Sequence, residues 1–319
     1  MSKRIVPTWT VPQLSLPQTT PLDVRLGQLL GADLSKNAVP QVVFVGFPSD
    51  EGVRRNGGRP GASQAPDAIR HFLYKLTPDP ERVEPFRRLL NHTRDLGNLV
   101  LSGELERDQA LLGSAIAPYL NRGVVVIVLG GGHETAYGHF LGYVEANQEV
   151  ALLNLDAHAD VRPLNAGKGH SGSPFRQALD HPLKFCLGYT VAGLLPHAVS
   201  QSHLDFIAEH GGRYVWRSSL TRQAIDEVFA SLDQAHLATF DLDAVDQAYA
   251  PGVSAPATRG LSSELWLYAA YKAGKHSRVR SFDVVELNPT YDRDGQTARL
   301  AALTVWQFLS GFVDRRSAG

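Results

Sequence analysis

The chain has 319 residues, 43% hydrophobic and 20% charged, with 31 Lys and Arg against 32 Asp and Glu. That length suits one globular domain over 1–319, and so balanced a charge gives no sign of nucleic acid or an anionic membrane surface as the main partner. One cysteine rules out an internal disulfide, no apolar stretch is long enough to span a membrane, and residues 1–20 lack the apolar core of a secretion signal, so a cytoplasmic protein is expected.

Residues 1–20, rich in Pro and Thr, read as an irregular N-terminal arm, and 21–30 suit a short helix. The first strand is 41–46. A Gly- and Arg-rich loop follows over 50–62, with Arg54, Arg55, Asn56 and Arg59. It is either a plain surface loop or a substrate-side loop, since loops after strands carry function in α/β folds. A helix is expected over 65–76 and a short strand with a turn over 93–100. Leu105, Leu111, Leu112, Ile116 and Leu120 share helical spacing within 104–120. The β-branched run 124–129 is a buried strand ending in Gly130, Gly131, Gly132, His133 and Glu134.

A second buried strand, from Val150, runs into Asp156, His158 and Asp160. After the loop 161–175, Ser173 and Pro174 suit an N-cap and first helical position. Strands are expected at 183–187, 213–216, 237–242 and 279–285, and helices at 200–210, 221–234, 262–274 and 296–313. Cys186 lies in an apolar run and reads as core. Strands alternating with helices predict an α/β fold with about eight parallel strands covered on both faces. Apolar residues of the last helix serve the core or a homo-oligomer interface.

Three of these strands end in residues that bind metals. They contribute His133; Asp156, His158 and Asp160; and Asp241 and Asp243. If strand geometry continues past Leu155, spacing by two puts Asp156, His158 and Asp160 on one face. A strand followed by a merely polar loop is the plainer alternative. The C-terminal edge of a parallel sheet is where such folds bind ligands. Four carboxylates packed together repel one another unless cations neutralise them, and two divalent ions suffice. An oxygen-rich set with two imidazoles and no thiolate suits manganese better than zinc. Two ions about 3.5–4 Å apart activate a water between them, so the implied chemistry is hydrolysis of a C–N bond or an ester. The three glycines fail the dinucleotide-binding spacing, because position 135 is Thr135.

The motifs around His133, Asp156–Asp160 and Asp241–Asp243 together resemble the ureohydrolases: arginase, agmatinase and formimidoylglutamase. The resemblance covers about residues 41–315. It implies a three-layer α/β/α, arginase-like fold with an eight-stranded parallel sheet and two Mn2+ per chain. It implies one ion on His133, Asp156, Asp160 and Asp241, and the other on Asp156, His158, Asp241 and Asp243. The active-site glutamate of the family corresponds to Glu286.

The substrate-side stretches resemble the formimidoylglutamase branch. Arg162 lies two residues beyond Asp160, where arginases carry an asparagine near the substrate carboxylate. A guanidinium there suits a small substrate bearing carboxylates; an exposed loop salt bridge is the alternative. Asn56, Arg59 and Ser171 are further candidate substrate contacts, and Arg54, Arg55 and Arg59 add positive charge that would repel agmatine. Arginases and agmatinases have a histidine where this chain has Ser171. His170, one position earlier, is either a proton shuttle or an exposed loop residue. The expected reaction is hydrolysis of N-formimidoyl-L-glutamate to L-glutamate and formamide, with Asp160 moving the proton and Glu286 holding the formimidoyl nitrogen. The rivals are a urea-releasing ureohydrolase, a metal-binding relative without turnover, and a single-zinc deacetylase.

Overall fold

A computed structural model of the chain describes residues 7–11 and 23–315. The remainder of the predicted arm, and Pro21 and Leu22 of the predicted first helix, lie outside the described residues. The strands are β1 (Trp9–Thr10), β2 (Val42–Phe47), β3 (Thr93–Leu99), β4 (Val125–Gly130), β5 (Val150–Leu155), β6 (Cys186–Leu194), β7 (Arg213–Trp216), β8 (His236–Asp241) and β9 (Val279–Val285). Interleaved with them are α1 (Leu26–Leu29), α2 (Glu51–Arg55), α3 (Ala65–Leu73), α4 (Val83–Asn91), α5 (Leu105–Leu120) and α6 (Thr135–Glu145). The later helices are α7 (Pro174–Leu179), α8 (Gln201–Glu209), α9 (Arg222–Ala230), α10 (Ser263–Lys275) and α11 (Gln296–Val313).

All nine strands join one sheet in the order β1-β3-β2-β4-β9-β8-β5-β6-β7. Strands β2 to β9 pair in parallel, matching the predicted eight; β1 adds an antiparallel edge through Trp9↔Leu99 and Thr10↔Asn98. Part of the supposedly irregular arm is therefore sheet. Two residues carry too little periodicity to announce a strand.

Strand alternation sends successive side chains into two separate cores. Val42, Phe44, Ile127, Leu153, Phe240 and Phe282 face α3, α4, α9, α10 and α11. Val43, Val45, Val126, Val128, Leu152 and Val191 face α5, α6, α7 and α8. The result is three layers, as expected. The sixth strand is displaced from its predicted span: it begins only at Cys186, after Lys184 at φ +55°, and extends to Leu194. Helix α7 does begin at Pro174, but Ser173 makes no side-chain cap; its hydroxyl accepts the His170 N–H instead.

The sheet order sets the site. Strands β4, β9, β8 and β5 are consecutive neighbours, so their C-terminal ends form one continuous rim. At or just past those ends lie His133, Glu286, Asp241–Asp243 and Asp156–Asp160.

Candidate active site

The predicted ligands converge in two groups. His133, Asp156, Asp160 and Asp241 offer atoms within 4.8 Å of one another, and so do Asp156, His158 and Asp243. His133 Nδ1 lies 2.9 Å from Asp160 and Asp241 oxygens and 3.3 Å from Asp156 Oδ2. His158 Nδ1 lies 3.1 Å from Asp243 Oδ2 and 3.4 Å from Asp156 Oδ1. Asp156 thus turns one oxygen to each group. Asp241, expected in both sets, falls with the first group only.

The spacing by two has a different origin from the one the sequence suggested. Strand β5 stops at Leu155, and Asp156 Oδ1 accepts the His158 N–H at 2.7 Å. Asp241 Oδ1 likewise accepts the Asp243 N–H at 2.8 Å, where β8 gives way to a short 3-10 turn. In each case the carboxylate folds the chain back on itself, an Asx-type turn, rather than continuing an extended face. Asp160 then takes φ +46°, which returns its side chain to His133.

Supporting residues hold these ligands. His133 Nε2 meets Thr239 Oγ1 at 3.0 Å, which leaves Nδ1 facing the carboxylates. Asn154 Nδ2 donates to Asp156 Oδ2 at 3.0 Å and to the Tyr189 hydroxyl at 3.1 Å. That hydroxyl donates to the Ala159 carbonyl at 2.8 Å, beside Asp160. The Tyr189 ring stacks on Phe175, whose ring also meets the edge of His133. Sequence reasoning missed all four supports, although Asn154 and Thr239 stand out as polar residues inside apolar strands.

The electrostatics are those of a cluster short of positive charge. Burial pushes Asp241 up, and Asp243 and Asp156 push it further. Burial raises Asp243 to about 6 despite the nearby His158. Burial opposes a charge on His133, yet the Asp156, Asp160 and Asp241 carboxylates close to its Nδ1 raise it well above its usual value. Asp243 does the same for His158. Burial would also raise Asp156, but both histidines outweigh it and lower it. His133 Nδ1 and Asp243 Oδ1 are buried without a hydrogen-bond partner. Lone pairs aimed at a common point without donors between them are what a cation site requires.

Glu286 follows β9 at φ +66°, and its Oε1 accepts the His133 N–H at 2.8 Å. Burial raises its carboxyl well above the ordinary range, with Asp243 and Glu134 adding to the effect. A buried pair, His139 Nδ1 and Asp283 Oδ2 at 2.8 Å, ties α6 to β9 beneath it.

On the substrate side Arg162 Nη1 donates to Asn56 Oδ1 at 3.0 Å, and Asn56 Nδ2 donates to Ser171 Oγ at 3.1 Å. Three predicted contacts therefore form one chain of side chains. The other arginines behave differently from expectation. Arg59 gives Nε and Nη2 to the Ser254 and Val253 carbonyls and lies over the Tyr291 ring, so it fastens two loops. Arg55 binds Glu51, Glu106 and the Gly169 carbonyl, and Arg54 pairs with Asp50 and Glu51. The charge of Arg54 and Arg55 is thus locally neutralised, whereas Arg59 and Arg162 have no ion-pair partner among the described residues. His170 is buried rather than exposed. Its Nε2 meets the Pro163 carbonyl at 3.0 Å and its Nδ1 accepts the Gly172 N–H at 3.1 Å, which leaves no nitrogen for a proton shuttle.

Residues 40–311 match the Arginase family, a span that contains the whole cluster. The chain belongs to the arginase family. Within it, the chain is 38% identical over 293 residues to the formimidoylglutamase of Geobacillus thermodenitrificans, covering 88% of each chain. It is 37% identical over 291 residues to the formimidoylglutamase of Rhodococcus opacus, covering 86% of this chain and 85% of that one. The crystal structure of Trypanosoma cruzi formiminoglutamase with two Mn2+ superposes with a TM-score of 0.84 at 31% identity, over 92% of this chain and 99% of that one. No helix among the described residues is long and apolar enough to cross a membrane.

Proposed function

We propose that this arginase-family protein hydrolyses N-formimidoyl-L-glutamate to L-glutamate and formamide, a step of histidine degradation, as a single-domain cytoplasmic enzyme. The observation that carries the reading is Arg162, a guanidinium with no carboxylate partner among the described residues, linked to Asn56 and Ser171 beside the two-group ligand cluster. Relatives named formimidoylglutamase, 37% and 38% identical, support the same substrate.

The residues fit two Mn2+. The unpartnered His133 Nδ1 and Asp243 Oδ1, and carboxylates driven toward their protonated forms by one another, are relieved by cations. His133, Asp156, Asp160 and Asp241 would hold one ion; Asp156, His158 and Asp243, with Asp241, the other. Bound there, the ions would supply an activated water and stabilise the charge that develops as it adds to the formimidoyl carbon. Asp160 accepts the water proton and delivers it to the departing glutamate nitrogen. Glu286 receives the formimidoyl N–H and favours the cationic amidine. Arg162 takes a substrate carboxylate through parallel N–H bonds, with Asn56 and Ser171 beside it. The balance is water plus amidine giving formamide and a free amino group.

The test is to incubate the manganese-loaded protein separately with N-formimidoyl-L-glutamate, L-arginine and agmatine, then assay glutamate, formamide and urea. Glutamate with formamide from the first compound alone is the expected result. Urea from either of the others overturns the substrate and the role of Arg162.

A further inference from the structure

Glu134 is a fully buried carboxylate that belongs to neither ligand group. It directly follows His133 in the chain. Its Oε1 accepts two hydrogen bonds from the other side of the cleft, the Gly52 N–H at 2.9 Å and the Ser49 hydroxyl at 3.0 Å. The Gly132 N–H adds a third tie, to the Ser49 carbonyl at 2.9 Å. Oε2 has no partner among the described residues.

The space around this carboxylate is made by missing side chains. A Cβ on Gly52 would lie 2.6 Å from Glu134 Cδ, and one on Gly132 would lie 2.2 Å from Oε2. Two glycines, one in each turn, leave room for it. Burying a polar group that is only half satisfied works against stability, so an apolar side chain would hold the fold at lower cost. What the carboxylate adds is a fixed register between two turns.

Those turns are the two halves of the site. One carries His133. The other is α2, whose second residue is Gly52, whose last residue is Arg55 and which is followed by Asn56. Arg55 reaches the Gly169 carbonyl, and Asn56 reaches Arg162 and Ser171. A continuous path of bonds therefore runs from His133 through Glu134, Gly52 and Asn56 to Arg162. We propose that Glu134 is a positioning residue that sets α2, and with it Asn56 and Arg162, against the ligand turn. This deepens the functional reading above and rests on it for the identity of the substrate.

The test compares Glu134→Ala with Glu134→Gln in the full-length protein. Gln retains an oxygen that accepts both hydrogen bonds; Ala retains none. Hydrogen–deuterium exchange over residues 51–56 is measured on the metal-free protein, alongside KM, kcat and manganese content of the loaded one. Exchange about tenfold faster in Glu134→Ala is expected, with KM raised about tenfold, kcat changed less and two Mn2+ retained; Glu134→Gln should restore both. Unchanged exchange in Glu134→Ala overturns the proposal, as does Glu134→Gln behaving like Glu134→Ala, since the charge would then be what matters. If Glu134→Ala does not fold, Ser49→Ala removes one of the two bonds, and a 3.4 Å bond from the Glu51 N–H with it, and should speed exchange of residues 52–56 by a smaller factor; no change there also overturns it. Exchange is read without substrate, so failure of the wild-type protein to turn over N-formimidoyl-L-glutamate defeats the substrate assignment alone.

Discussion

The His133 N–H donates to Glu286 Oε1 at 2.8 Å, and the Glu286 N–H donates to the Gly131 carbonyl at 2.8 Å. The end of β9 and the turn after β4 are thus bonded to each other in both directions. The left-handed Glu286 backbone, at φ +66°, costs about 1–3 kcal/mol and is held by these bonds. Glu286→Gln keeps the backbone and an acceptor for His133 but removes the charge that would face an amidinium. A charge-assisted hydrogen bond of about 1.5–3 kcal/mol is lost, so kcat/KM should fall about 10- to 100-fold with two Mn2+ retained. Steady-state kinetics and metal analysis check this; unchanged kcat/KM removes Glu286 from the substrate.

Asp160 also has a left-handed backbone, at φ +46°. Asn tolerates that conformation well, so Asp160→Asn isolates the chemistry from the fold. Loss of a positioned proton carrier should lower kcat about 10²- to 10⁴-fold. Turnover near wild type, with both ions bound, would falsify the proton role.

Arg162 is exposed and, among the described residues, its guanidinium is hydrogen-bonded to the Asn56 side chain alone, so its removal should barely affect folding. Arg162→Ala should raise KM about 10- to 100-fold and leave kcat nearly unchanged, the pattern of an anchor that holds ground state and transition state alike. Asn56→Ala should raise KM less. Equal KM for wild type and Arg162→Ala discards the carboxylate anchor.

The six candidate ligands were legible because Asp and His at strand ends are rare within apolar runs, and the layers followed from the alternation of strands and helices. The reason for the spacing was not legible. An Asx turn and a strand both place residues i and i+2 near one face, and only the Asp156–His158 and Asp241–Asp243 bonds separate them. Helix α2 was hidden inside a Gly-rich loop because its position depends on Glu134, a residue 82 positions away from Gly52. The pairing of Arg54 and Arg55 with carboxylates was hidden for a similar reason. Composition counts charges, but Glu106, which neutralises Arg55, is 51 residues distant. Helix α4 went unpredicted; only Phe86, Leu89 and Leu90 of its nine residues are buried, too short a pattern to stand out.

Tyr189 reaches Asp160 through the Ala159 carbonyl and Asp156 through Asn154. Tyr189→Phe keeps the ring, stacked 4.5 Å from Phe175, and removes only the hydroxyl. Manganese affinity should weaken about tenfold while the thermal midpoint of the metal-free protein stays close to wild type. Metal titration gives the answer, and unaltered affinity would show that the hydroxyl does not orient the ligands.

Metal and pH act on stability through the same groups. Without cations, the folded cluster holds more protons than the unfolded chain, because Asp241, Asp243, His133 and His158 are all raised. Stability therefore falls as pH rises. The Asp243 penalty grows from its ordinary 3.8 to about 6 and is constant above that. The stabilising charge on the histidines is complete below their ordinary 6.5 and is lost as pH climbs through their raised folded values. Asp156 is lowered, so its contribution is already complete above 3.8 and does not oppose the trend. The thermal midpoint of chelator-treated protein should thus drop between about pH 5 and pH 8. Manganese binds the deprotonated ligands, so the loaded protein should lose that dependence, and loading at neutral pH should release protons into a weakly buffered solution. Parallel midpoint curves with and without manganese across this range would mean that the cluster does not hold the ions.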